Sequence, residues 1–220
     1  MRPELYQNLA EPTIRFCEDN LGGWVAQPAN SVSSLVISLA GLFILSRKPR
    51  HAFSPWLGWT AILTGLTSFA YHASFTFVGQ LADLGSMFLL ASFLIVAALR
   101  LSSSRKAYAI LVLGTLIPLS LTAYFRTVAD FNLGIPLFAV LLASAIYLEI
   151  QTIRREGSSL RYFGLGFLVF ATGWLIWLLD FKQVWCSPTT FHLINGHSFW
   201  HAANAAALLF LDQHYRQLKR

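Results

Sequence analysis

Seven apolar runs, each near the length needed to cross lipid, constrain this chain more than any other feature. Their cores read as 31–46, 56–77, 84–99, 107–125, 132–148, 162–179 and 198–211. A helix takes about 20 residues, at about 1.5 Å rise each, to span the hydrocarbon. The first, third and last cores are short of that and must borrow flanking residues. All seven are continuously apolar, whereas barrel strands alternate with a period of two in shorter pieces. The expected fold is therefore all-α: a polytopic membrane protein built as a seven-transmembrane-helix bundle, with the first and last runs the weakest spans. Composition agrees, at 55% hydrophobic, 12% charged and mean hydropathy +0.56, outside the soluble range.

No internal repeat, low-complexity tract or soluble linker interrupts the pattern. One integral membrane domain over 1–220 is expected, with an arm at 1–30, helices over 31–211 and a basic tail at 212–220. Thirty mostly polar residues precede the first run, unlike a charged start followed by a short apolar region. The first helix is expected to insert uncleaved.

The net charge of +6 could suggest nucleic acid, but its distribution argues against that. Basic residues cluster in alternate breaks: Arg47, Lys48 and Arg50; Arg100, Arg105 and Lys106; Arg154, Arg155 and Arg161; Arg216, Lys219 and Arg220. The other breaks keep Arg2, Arg15, Arg126 and Lys182 beside Glu4, Glu11, Glu18, Asp19, Asp83, Asp130 and Asp180. The positive-inside rule then predicts an outer amino terminus and a cytoplasmic carboxyl terminus. Both cysteines, Cys17 and Cys186, fall on the outer, oxidising side in this topology. Spacing alone leaves open a disulfide or two free thiols.

Depth now groups the ionisable residues. Ser68 and His72 lie near the outer end of the second run, Asp83 near the outer start of the third, and His197 and His201 in the first turns of the last. His197 and His201 are spaced i, i+4 and share a helix face. Three histidines with one open position make a catalytic zinc arrangement. Iron, copper and nickel also accept imidazole, but a set without thiolates suits zinc. Ionisable groups at membrane depth are functional by default, against the alternative of hydrogen-bonded packing residues. His51, His192 and His214 receive no role.

These residues sit in short stretches that resemble the alkaline ceramidase family. They are "SFAYH" followed by Asp83, "HSFWH", "FCEDN", "NSVSS" and "WLLD" before Cys186, in that family's order over nearly the whole chain. The family belongs to a superfamily of seven-helix membrane hydrolases that includes receptor-type members. The resemblance implies a zinc-dependent amide hydrolase cleaving ceramide or another N-acyl lipid. It matches His72, His197 and His201 to zinc ligands, Asp83 to the aspartate beside the metal's water, and Ser68 to the serine beside the metal. It also implies a Cys17–Cys186 disulfide, an active site near the periplasmic or lumenal side, and the bilayer and a membrane lipid, not nucleic acid, as partners. Tyr124, Trp185 and Trp200 lie near the outer interface, as entrance or belt residues.

Departures from the family bear on its calcium site. Arg15 stands where an acidic residue is expected, Phe16 replaces a tryptophan, and Gln27 stands where a glutamate is expected. Calcium wants many oxygen ligands, so Ca2+ is not expected to bind well, and Arg15 is expected to pair with Glu18 or Asp19 instead. Two rival readings remain: a lipid-binding or receptor-like protein with structural zinc, and a proton-relaying transporter. The transporter reading lacks paired broken helices.

Overall fold

The structure is a computed structural model and describes residues 11–48, 51–102, 104–129, 131–186 and 194–218. Arg2, Glu4, Arg50, Asp130, His192, Lys219 and Arg220, which entered the charge and histidine readings, lie outside the described residues. Among the described residues the fold is all-helical with no strand. Its helices are α1 (Pro28–Ser46), α2 (Phe53–Ser74), α3 (Phe77–Ala98), α4 (Arg105–Ala129), α5 (Gly134–Glu156), α6 (Arg161–Phe181) and α7 (Gly196–Gln217).

Five of them, α1, α3, α4, α5 and α6, are long and apolar enough to cross a membrane. The shortfall lies in α2 and α7, so α1 is stronger than its sequence suggested. Both weak helices carry polar side chains into the bundle. In α2 these are Thr60, Thr64, Ser68 and His72, and in α7 they are His197, His201, Asp212 and His214, all buried. The outside is apolar instead. On α4, Val112, Leu113, Leu116 and Ile117 are more than half exposed, as lipid-facing side chains are.

Local chemistry sets the helix ends. Pro28 occupies the first turn of α1, where its missing N–H costs nothing. The second apolar run does not stay helical to residue 77. Phe75 takes a left-handed conformation at φ 46°. The Thr76 hydroxyl then accepts from Gly79 N–H at 3.1 Å and starts α3. Asn195 and Ser198 form a reciprocal capping box at the start of α7, satisfying two backbone donors at once.

The centre is built from α1, α2, α3 and α7, which meet through Ile37, Ile44, Leu57, Phe93, Ala205 and Leu208. Small residues let α1 and α2 approach closely. A Cβ on Gly41 would lie 2.6 Å from the Gly58 carbonyl oxygen, the kind of close approach that drives helix association in lipid. Although α5 and α6 are consecutive in the chain, their Cα atoms nowhere come within 8 Å of each other among the described residues. A lateral cleft remains between them. It is bridged, on the side nearer the start of α5, by the Phe138 and Trp174 rings, stacked with centroids 6.1 Å apart.

At the end of the bundle opposite the α7 start, buried Glu149 receives two Arg100 hydrogen bonds of 2.9 Å and pairs with His214 at 2.8 Å. Burial disfavours the Arg100 charge, but the hydrogen bonds and charges of Glu149 and Glu156 outweigh it and raise the guanidinium pKa above its ordinary value. Arg47 contacts Asp212 at the same end, so the basic breaks gather there.

Candidate metal centre

Chain direction brings three helix ends to the other pole of the bundle. His72 lies in the last turn of α2, Ser68 one turn earlier, Asp83 in the second turn of α3, and His197 and His201 at the start of α7. One ring nitrogen from each of His72, His197 and His201 lies within 4.8 Å of the others, and all three residues are buried. The Nε2 atoms of His72 and His197 are 3.0 Å apart. The Ser68 hydroxyl is 3.4 Å from His201 Nε2, and Ser68 and Asp83 line the same cavity as His197 and His201. All five residues expected from the sequence are therefore neighbours.

Further residues complete the centre that spacing alone did not single out. Gln27 Oε1 accepts from His72 Nδ1 at 2.9 Å. The Gln27 amide is oriented by Asn30 Nδ2 donating to Oε1 and by its own Nε2 donating to the Glu18 carbonyl. Ser33 Oγ lies 2.8 Å from His201 Nδ1. Phe16 covers the cluster, its ring centroid 4.1 Å from His197 and 5.1 Å from His72. In the sequence Phe16 and Gln27 stand out only as departures from the family's calcium site, and their short range to the histidines is a tertiary fact.

The arm is bonded into place. Cys17 and Cys186 form a disulfide across 169 residues, with Cα atoms 5.4 Å apart. Asp180, buried at the end of α6, accepts Cys17 N–H on one oxygen at 3.0 Å and His197 N–H on the other at 3.2 Å. One carboxylate thus ties the arm to the α7 start. Glu18 turns inward, its two oxygens accepting from Ala29 N–H and Asn30 N–H at 2.8 and 2.9 Å. It caps α1 as an acidic group at a helix N-terminus does. Glu18 is thus engaged by backbone donors, while Arg15 and Asp19 are both exposed.

The donor set fits a cation. Because an amide oxygen only accepts, His72 carries its proton on Nδ1 and directs the Nε2 lone pair into the cluster. His197 Nδ1 is buried with no hydrogen-bond partner. Zinc–imidazole bonds of about 2.0–2.1 Å in a tetrahedron separate ligand nitrogens by about 3.3 Å, close to the His72–His197 spacing. Zinc, iron, copper and nickel all accept imidazole ligands of this kind.

Beside the cluster lies a mainly apolar cavity of about 90 Å³, lined by Ser68, Asp83, His201, Trp200, Phe138 and Trp174 among others. Trp200 is therefore a cavity wall, whereas Tyr124 and Trp185 are exposed. A second apolar cavity shares Leu90, Phe138, Asn204 and Leu208 with the first and continues toward Glu149. Comparison with individual curated proteins gives no match. The family model described as Ceramidase matches residues 9–216, and the chain belongs to the ceramidase family.

Proposed function

We propose that this protein is a zinc-dependent intramembrane amidase that cleaves the N-acyl bond of ceramide or a closely related lipid. The observation that carries this reading is the buried three-histidine cluster opening onto an apolar cavity that also holds a carboxyl group, in a chain of the ceramidase family. His72, His197 and His201 would hold the metal. When bound, zinc would supply a Lewis acid and lower the pKa of water at its open position.

The chain's own groups do the rest. Asp83 orients the attacking water and accepts its proton. Ser68 donates a hydrogen bond to the oxygen that gains charge as the carbonyl is attacked. The carbon–nitrogen bond then breaks, and Asp83 returns the proton to the leaving amine. Products are a fatty acid and a sphingoid-type base. The α5–α6 cleft lets the substrate's chains pass from lipid into the apolar cavities, so the scissile amide need not cross the water phase.

The same reading takes 1–220 as one membrane domain with seven spans. By the positive-inside rule the basic pole faces the cytoplasm and the histidine pole the outer leaflet. A structural zinc in a receptor-like protein would be expected to have four protein ligands, whereas the cluster among the described residues has three. The test is elemental analysis of purified protein combined with mass spectrometry of N-acyl lipids before and after incubation. One zinc per chain with release of free base and fatty acid is expected. One zinc with no product from any amide lipid would overturn the hydrolase reading.

A further inference from the structure

Two of the three histidines, His72 and His201, are aimed by groups from outside their own helices, and both groups come from one short segment. Gln27 immediately precedes α1 and Ser33 lies in its second turn. Gln27 takes the outer nitrogen of His72 at 2.9 Å, and Ser33 lies 2.8 Å from the outer nitrogen of His201. These two histidines come from different helices, α2 and α7. A single rigid element therefore sets the relative orientation of two imidazoles that the chain separates by more than a hundred residues.

We propose that Gln27 and Ser33 are positioning residues for the metal centre, making the start of α1 the template on which the three-histidine site is assembled. This inference rests on the metal reading above, because it assumes the histidines coordinate an ion.

The physical case for Gln27 has three parts. Its side chain is buried, so an acceptor lost there is not replaced by water. Its amide cannot flip freely, since Nε2 is engaged by the Glu18 carbonyl and Oε1 by Asn30. Its backbone N–H also donates to the His72 carbonyl at 3.1 Å. Side chain and main chain thus grip one residue, and the imidazole is left a single tautomer with its lone pair turned inward. A neutral amide does this without adding negative charge to the site, unlike the carboxylates that often hold a ligating histidine. Ser33 has a hydroxyl that can rotate to suit either role at His201, so its contribution is orientation.

The test measures zinc retention against a chelator in purified protein, with no substrate present. Gln27→Leu fills similar volume but offers no acceptor, and Ser33→Ala removes the hydroxyl. Each is expected to weaken zinc binding by about 10–100-fold. Gln27→Glu and Ser33→Thr keep an acceptor oxygen and are expected to restore retention to near wild type. The visible spectrum of the cobalt-substituted protein should shift in Gln27→Leu and not in Ser33→Thr.

Unchanged retention in both Gln27→Leu and Ser33→Ala would overturn the proposal. So would equal losses in the acceptor-keeping variants, since a merely structural role would not separate them. If Gln27→Leu fails to fold, the Ser33 pair decides. Absence of amidase activity would sink the function but leave these binding shifts readable. A wild-type protein that holds no metal would sink both.

Discussion

His72 and His197, 125 residues apart in the chain, bring their Nε2 atoms to 3.0 Å inside the bundle. That separation is close to the one a shared tetrahedral cation would impose on two imidazole ligands. His197→Ala is therefore expected to abolish stoichiometric zinc and to lower lipid turnover by at least about a thousandfold. Elemental analysis and a product assay on the same preparation check this. A variant that keeps both its metal and its activity would remove His197 from the centre.

Asp83 separates chemistry from binding. Asp83→Asn keeps shape and hydrogen-bonding capacity but cannot take a proton. A fall in kcat of about 10²–10⁴ is expected, with zinc content and thermal midpoint near wild type. If turnover is unaffected, the proton acceptor is another group.

The disulfide should matter for the centre as well as for stability. Cys17 N–H and His197 N–H share the Asp180 carboxylate, so loosening the arm disturbs a ligand's backbone. The double variant Cys17→Ser, Cys186→Ser is expected to lose about 2–4 kcal/mol of stability and to release zinc faster to a chelator. Thermal unfolding in detergent and chelator kinetics read the two effects. Zinc release at the wild-type rate would show that the arm and the metal centre are independent.

The cleft between α5 and α6 is testable by closing it. The native cysteines are bonded to each other, so cysteines placed at Phe138 and Trp174 are the only reactive thiols. Bridging them with a bifunctional thiol reagent is expected to suppress turnover of long-chain lipids by more than tenfold while zinc stays bound. Full activity in the bridged protein would mean the chains enter elsewhere.

At the other pole, Arg100 offers a control. Arg100→Leu leaves the buried Glu149 carboxylate without its principal partner, a change expected to cost about 3 kcal/mol. Zinc binding should not change, since the network is at the opposite end of the helices. Loss of metal in this variant would show that the two poles are coupled.

Much of this protein is legible without coordinates. Apolar run length follows from the thickness of lipid, and it marks all seven helices, although the start of α3 at Phe77 and the ends of α5 at Glu156 and α7 at Gln217 lie six to eight residues beyond the apolar runs. The i, i+4 pair His197 and His201 must share a face, and alternating chain direction puts Ser68, His72 and Asp83 at the same depth. What spacing along the chain could not show is which side chains touch. Gln27 reads as a departure from a calcium pattern, yet it holds His72; Phe16 reads as a replaced tryptophan, yet it covers the cluster.

The amino-acid order alone decided that the chain is helical, that lipid surrounds it, and which ionisable groups share a level. Those outcomes depend on local periodicity and transfer of apolar surface, which act residue by residue. Tertiary packing decided the pairing of Cys17 with Cys186, the sharing of Asp180 between arm and α7, and the gap between α5 and α6. Those depend on rotations and distances between helices, which no single segment encodes.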